Sequence, residues 1–158
     1  MPYESERFDS NLAQCGQLKL LFEGSSLVMY KQNLAIYDFP AVSGKPLPGN
    51  RFDYSPERQK KKDTGPIPEG TYFILPTELS PAGTFRRTSA WGNYRITIHP
   101  FPNTQTHERS GFFIHGGAVP GSAGCIDLTE FMDIFVEKLR EEIAQFGDCK
   151  ILLTVEYS

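Results

Sequence analysis

The first forty residues alternate short apolar segments with turn residues. Segments 17–23, 26–31 and 33–39 are rich in aliphatic and aromatic residues, and Gly-Ser and Gln-Asn pairs separate them. Short apolar runs between turn residues are typical of β-strands. We therefore predict a three-stranded meander at the start of the chain.

Four later segments have the length and residue types of strands. Segment 93–99 alternates apolar and polar positions, so Tyr94, Ile96 and Ile98 are predicted to face the core. The other three segments are 70–76, 112–115 and 150–157.

One segment has helical periodicity. Apolar residues between 128 and 146 recur near every 3.6 positions. Asp127 and Glu130 have the spacing of a capping box, and Gly147 is a plausible C-cap. The pattern predicts a mainly β chain with one main helix that begins near Asp127.

Length and composition indicate one domain. The chain has 158 residues, of which 39% are hydrophobic and 22% charged, and a chain of this size can bury a core of its own. We expect one domain over residues 1–158, with an N-terminal extension at 1–16. Segment 40–68 is rich in Pro, Gly and charge, and we predict a long loop that could act as a lid.

Charge and hydropathy exclude several classes of protein. The net charge is −3, so no nucleic-acid partner is expected, and no apolar run is long enough for a membrane span. The acidic N-terminus does not have the pattern of a secretory signal peptide. We expect a protein that is made in the cytoplasm and either stays there or leaves by a machine that accepts folded proteins.

The chain has three cysteines: Cys15, Cys125 and Cys149. If Cys15 pairs with Cys149, Cys125 remains as a free thiol, which suits an enzyme of an oxidising compartment. Three reduced thiols are the alternative. The sequence alone leaves both open.

The segment 111–128 carries the candidate chemistry. It holds His115, Cys125 and five glycines, and a cysteine becomes a strong nucleophile when an imidazole takes its proton. The glycine-rich loop between the two lets the chain fold back, so His115 is the candidate base and Cys125 the candidate nucleophile. We expect a sulfur that is ionised at rest, aided by the N-terminus of the following helix and partly opposed by Asp127.

Backbone N–H groups near the nucleophile could bind the oxyanion of an acyl transfer. Gly124 and Cys125 are the predicted donors, and Ser122 could add a hydroxyl or brace the loop. An inert glycine-rich loop is the plain alternative. A zinc site made from His99, His107, His115 and Cys125 lacks short ligand spacing, so no metal or cofactor is predicted.

The motifs in this region resemble those of L,D-transpeptidases (YkuD-like). His115-Gly116 is followed, after a loop, by Ser122-Ala123-Gly124-Cys125 and an aliphatic residue. The resemblance is closest to the Tlde1-like branch, through the His-Gly-Gly at 115–117 and the segments 43–45, 65–72 and 120–128. Ala123 stands where many of these enzymes have His, and Asp127 where they have Arg or Asn.

The resemblance implies an L,D-transpeptidase-like β-sandwich and a peptidoglycan substrate. Cys125 would cleave the diaminopimelate–D-alanine bond of tetrapeptide stems, or exchange the terminal D-amino acid. The carbonyl of Gly116 would orient His115, and Gly124 with Cys125 would form the oxyanion hole. It also implies a type VI secretion effector that acts in a rival's periplasm, with a secretion-machine carrier and an immunity protein as partners.

Substrate carboxylates would be bound by basic side chains near the site. Arg95 and Arg109 are the candidates, with Gly117 beside the base. Two other classes of function remain open. One is an inactive cell-wall-binding module, and the other is a cytoplasmic thiol or metal protein.

Overall fold

The computed structural model describes residues 11–81 and 93–157, which form a mainly β domain. The predicted meander is present, and segments 26–31 and 112–115 are strands with the predicted bounds. The strands are β1 Gln14–Phe22, β2 Ser26–Lys31, β3 Leu34–Pro40, β4 Val42–Gly44, β5 Gly70–Ile74, β6 Ser80–Pro81, β7 Tyr94–Pro100, β8 Phe112–His115, β9 Ser122–Asp127 and β10 Lys150–Val155.

The strands form a single, nearly closed sheet in the order β3-β2-β1-β10-β5-β7-β8-β9-β4, and β6 adds to β7. Two pairs are parallel: β1 with β10, and β8 with β9. Ile96 and Ile98 are buried as predicted, and Tyr94 packs partly buried against the core. The predicted fold class, mainly β with one main helix in one domain, is confirmed.

The described helices are the short α1, Pro56–Gln59, and the main helix α2, Met132–Ile143. The predicted start of the main helix near Asp127 is wrong. Asp127 ends β9, where it pairs with His115, so the chain must leave the sheet through a 3₁₀ turn before a helix can begin. The predicted C-cap at Gly147 is also wrong, since Ala144 caps α2. None of the helices in the described part of the chain could cross a membrane.

Helix α2 covers the inner face of the sheet with one apolar stripe. Met132, Phe135, Val136 and Leu139 are buried along it, at the spacing of one helix face. Phe135 meets Phe39 of β3 edge to face, with ring centroids 5.4 Å apart. The helix therefore stabilises the sheet through the apolar side chains that it packs against it.

A disulfide joins Cys15 of β1 to Cys149, the residue before β10. The pairing that the sequence left open is thus present, and Cys125 is the free cysteine. Residues 1–10 lie outside the described part. Because β1 begins at Gln14, the last residues of the predicted 1–16 extension belong to the sheet.

Segment 40–68 is more ordered than the predicted long loop. It starts with β4, which pairs with β9, and it contains α1. Its end is held against β4, where the hydroxyl of Ser43 accepts a hydrogen bond from the backbone N–H of Ile67 at 2.9 Å. Movement as a lid stays a prediction.

Candidate active site

His115 and Cys125 lie on neighbouring strands, β8 and β9. These strands run parallel, with Ile114 opposite Ile126 and His115 opposite Asp127. Side chains alternate between the faces of a strand, so Cys125, two residues before Asp127, shares a face with His115. Neighbouring strands are about 4.8 Å apart, and the fold therefore brings the predicted base and nucleophile to one side of the sheet.

The imidazole of His115 is held from its Nδ1 side. Nδ1 lies 2.7 Å from the carbonyl oxygen of Gly116. A carbonyl only accepts hydrogen bonds, so Nδ1 carries the proton and Nε2 is the basic nitrogen of the neutral ring. The side chain is only 2% exposed, which restricts its orientation further.

The sequence predicted Asp127 as a helix cap and as a charge that opposes the thiolate, but not its contact with His115. The carboxylate of Asp127 is fully buried, with Oδ1 4.0 Å from Nδ1 of His115. The same carboxylate accepts hydrogen bonds from the backbone N–H of Thr129 at 2.8 Å and of Gly121 at 2.9 Å. Burial raises the pKa of Asp127, while these two hydrogen bonds and His115 favour its charged form.

The capping-box spacing with Glu130 concealed this role of Asp127. The carboxylate closes a local turn at Thr129, which has a positive φ of 51°. It also anchors the loop that follows His115, through Gly121. The sequence did contain a signal for this placement. Cys125 and Asp127 flank the aliphatic Ile126, so in a strand both would lie on the face opposite Ile126.

Cys125 is buried in a strand, not at a helix end. Its side chain is 3% exposed, and α2 begins seven positions later, so the predicted help from a helix N-terminus is wrong. Burial raises the pKa of the Cys125 thiol, and hydrogen bonds from the backbone of Phe113 and the side chain of Ser122 oppose this shift. Burial therefore favours the thiol over the thiolate, against the expectation of a sulfur that is ionised at rest.

The predicted oxyanion donor at Gly124 is contradicted by its hydrogen bond. Its backbone N–H donates to the carbonyl of Gly65 at 2.8 Å, so it is not directed at a substrate. Gly124 has a positive φ of 74°, a backbone conformation that glycine adopts without the steric cost that a side chain would add. Ser122 and Ala123 begin β9 half-buried, and an oxyanion role for the N–H of Cys125 stays a prediction.

Position 116 requires a glycine because the backbone of Thr129 and the side chain of Met132 pack closely against its Cα. A Cβ at this position would lie 2.6 Å from the carbonyl oxygen of Thr129 and 2.7 Å from Cβ of Met132. The next residue, Gly117, donates its N–H to the same Thr129 oxygen at 3.3 Å. This contact holds the segment after His115, and substrate binding by Gly117 stays a prediction.

The two candidate arginines differ in their surroundings. Arg95 of β7 lies opposite His115 in the sheet, with its guanidinium 4.5 Å from the centroid of the Phe113 ring. Arg109 is buried, and its guanidinium donates to the carbonyls of Gln59, Pro66 and Gly65 at 2.6, 2.7 and 2.9 Å. These contacts contradict the prediction that Arg109 binds a substrate carboxylate, whereas Arg95 stays a candidate.

The histidines of the zinc alternative do not converge. His99 hydrogen-bonds Glu78 at 2.7 Å and stacks on Phe73, and His107 lies in the loop before β8. Within residues 11–81 and 93–157, no group of three His, Cys, Asp or Glu side chains is arranged to hold a metal ion.

A buried thiol and an oriented imidazole on one face of a mainly β sheet define a candidate thiol enzyme. The chain belongs to the Tlde1 domain family, whose model matches residues 39–146. The resemblance found in the motifs is thus confirmed at the level of the family. None of the curated proteins compared with the sequence matches it.

Solved structures with a similar fold include Bd1075 of Bdellovibrio bacteriovorus, which is 20% identical with a TM-score of 0.53. The match covers 93% of this chain and 49% of that one, so this chain spans about half of its length. L,D-transpeptidase 1 of Mycobacterium tuberculosis is 15% identical, with a TM-score of 0.46 and coverage of 89% and 63%. A mutant L,D-transpeptidase of Enterococcus faecium is 16% identical, with a TM-score of 0.47 and coverage of 88% and 49%.

Proposed function

We propose that this protein is a cysteine-dependent enzyme that modifies the peptide stems of peptidoglycan. It cleaves the diaminopimelate–D-alanine bond of a tetrapeptide stem, or exchanges the terminal D-amino acid. The observation that carries the proposal is the placement of Cys125 and His115 on one face of two adjacent parallel strands, with Nδ1 of His115 bound to the carbonyl of Gly116.

The first half of the reaction forms an acyl-enzyme. Nε2 of His115 takes the proton from the Cys125 thiol as the sulfur attacks the carbonyl carbon of the scissile amide. The C–N bond then breaks, and D-alanine leaves with the proton from the imidazolium. The buried carboxylate of Asp127, 4.0 Å from Nδ1, stabilises the positive charge that His115 carries between these two transfers.

The second half regenerates the thiol. Water attacks the thioester and yields a tripeptide stem, which is carboxypeptidase activity. The amine of a free D-amino acid yields an exchanged stem instead. In both cases His115 takes a proton from the attacking group and returns one to the sulfur of Cys125, so the enzyme ends as it began.

Membership of the Tlde1 domain family supports a peptidoglycan substrate. So does the resemblance of segments 115–117 and 122–126 to the L,D-transpeptidase signature. A buried thiol that becomes nucleophilic through an adjacent imidazole suits acyl transfer from an amide. Arg95, opposite His115 in the sheet, is the side chain we assign to a carboxylate of the stem.

The proposed place of action is the periplasm of a target cell, with the protein delivered as a type VI secretion effector. The Cys15–Cys149 disulfide supports an oxidising compartment. A secretion-machine carrier and an immunity protein in the producing cell belong to the same proposal.

The test is incubation of the purified protein with tetrapeptide muropeptides, followed by mass spectrometry. Tripeptide product would support carboxypeptidase activity, and a mass gain with added D-methionine would support exchange. The Cys125→Ala and His115→Ala variants should lose either product. Equal turnover by Cys125→Ala would exclude the thiol mechanism, and binding to sacculi without turnover would favour an inactive wall-binding module.

A further inference from the structure

Arg109 is a buried cation that the proposed reaction does not yet use. It is 5% exposed, and an arginine stays protonated in proteins. Its hydrogen-bond partners are the three carbonyls of residues 59, 65 and 66, which are neutral. Among the described residues, no carboxylate forms a salt bridge with this guanidinium.

The guanidinium is packed against the backbone that carries Cys125. A Cβ placed on Gly124 would lie 3.1 Å from Nη2 of Arg109. The carbonyl of Gly65 accepts hydrogen bonds from both sides of this contact, from Nη2 of Arg109 at 2.9 Å and from the N–H of Gly124 at 2.8 Å. Arg109 therefore holds, through one shared oxygen, the residue next to the sulfur.

The charged and titratable groups around Cys125 have opposing effects. Asp127, on the same strand, raises the pKa of the thiol, and Arg109 lowers it. His115 faces it from β8, and Arg95 lies beyond it on β7. Asp63 and the hydroxyls of Tyr72 and Tyr157 interact electrostatically with Arg109. The tyrosines are neutral near pH 7 because burial raises the pKa of both.

We propose that Arg109 is a positioning residue for the nucleophile: it fixes the backbone at Gly124 and Cys125 through the Gly65 carbonyl, and its charge favours the thiolate form of Cys125. A cation near a sulfur of low exposure acts with little screening by water. The inference rests on Cys125 as the proposed nucleophile, but it concerns the sulfur itself and not the substrate.

Two variants separate the charge of Arg109 from its hydrogen bonds. Both Arg109→Lys and Arg109→Gln remove the planar guanidinium that donates hydrogen bonds to three carbonyls, but only the lysine keeps a positive charge. The measurement is the rate of Cys125 alkylation by iodoacetamide between pH 6 and 9, in protein with the disulfide intact. Iodoacetamide is uncharged, so the cation does not attract the reagent, and Arg51→Gln, at an exposed arginine, is the control.

We expect Arg109→Gln to move the rate profile to higher pH, with a rate at pH 7.5 about tenfold lower than that of the wild type, which corresponds to one pKa unit. Arg109→Lys should keep most of the wild-type profile. Equal profiles for the glutamine variant and the wild type would overturn the inference. Equal losses in both variants would overturn the role of the charge and assign the effect to the hydrogen bonds alone. If the glutamine variant does not fold, the lysine variant decides. An alkylation rate of Arg109→Lys at pH 7.5 that is tenfold or more below the wild-type rate would refute the role of the charge.

Failure of this inference is distinguishable from failure of the proposed function. Alkylation needs no peptidoglycan, so a shifted profile without muropeptide turnover would retain the role of Arg109 and reject the substrate. Normal muropeptide turnover by the wild type, together with an unshifted alkylation profile of Arg109→Gln, would retain the proposed substrate and reject the role of Arg109.

Discussion

The carboxylate of Asp127 and the imidazole of His115 are directly opposite each other on parallel strands, both buried, with Oδ1 4.0 Å from Nδ1. The Nδ1–H group of His115 donates a hydrogen bond to the carbonyl oxygen of Gly116, with Nδ1 and the oxygen 2.7 Å apart. The carboxylate therefore does not replace the carbonyl as the hydrogen-bond acceptor. It adds a negative charge beside a ring that becomes positive in the proposed reaction.

We predict that Asp127→Asn lowers turnover of muropeptides by about 10- to 100-fold with little change in KM. The loss should be smaller than in a triad whose carboxylate is the direct partner of the histidine, because Gly116 still orients the ring. The matched control is Asp133→Asn on the exposed start of α2, which should keep wild-type rates. Wild-type turnover by the Asp127 variant would remove this residue from the mechanism.

The pH dependence of Cys125 follows from the direction of its pKa shift. Burial raises the pKa of the thiol, so the thiolate is the minor form at neutral pH. We predict that alkylation of the wild-type protein speeds up about tenfold per pH unit through neutral pH, since the thiolate is the reacting form. A rate that is constant from pH 5 to 8 would instead indicate an ion pair with His115 that is present at rest.

The Cys15–Cys149 disulfide is predicted to stabilise the fold without contributing to the chemistry. It closes a loop with a sequence separation of 134 residues, and its loss should reduce the free energy of unfolding by about 2–4 kcal/mol. The double variant Cys15→Ala with Cys149→Ala should show this in urea denaturation. It should turn over muropeptides at the wild-type rate at temperatures where it is folded, and a loss of turnover there would link the disulfide to the site.

Gly116→Ala is predicted to damage both stability and activity. The added methyl group would collide with the Thr129 carbonyl and Cβ of Met132, and overpacking of this kind costs about 1–3 kcal/mol. The carbonyl that orients His115 belongs to the same residue, so turnover should fall as well. Gly147→Ala, where a Cβ meets nothing within 4 Å, should change the free energy of unfolding by less than about 0.5 kcal/mol.

Local patterns were sufficient for several elements and failed at the junction after Cys125. Strands β2 and β8 have the predicted bounds because each is an apolar run between turn residues. The start of α2 was misplaced because Leu128 and Phe131 fit a helical stripe as well as they fit a 3₁₀ turn. Spacing along the chain does not report that Asp127 is paired with His115 across a sheet.

The sequence by itself determined the β-rich class, the family and the two side chains of the candidate chemistry, because these depend on residue type and on short spacings. Only the tertiary structure shows the contacts of Asp127 and Arg109 on which their proposed roles rest. The carbonyls bound by Arg109 lie 43 to 50 positions earlier in the chain, and the partner of Asp127 is set by strand register. Contacts between distant segments depend on how the sheet closes, and no local pattern encodes that geometry.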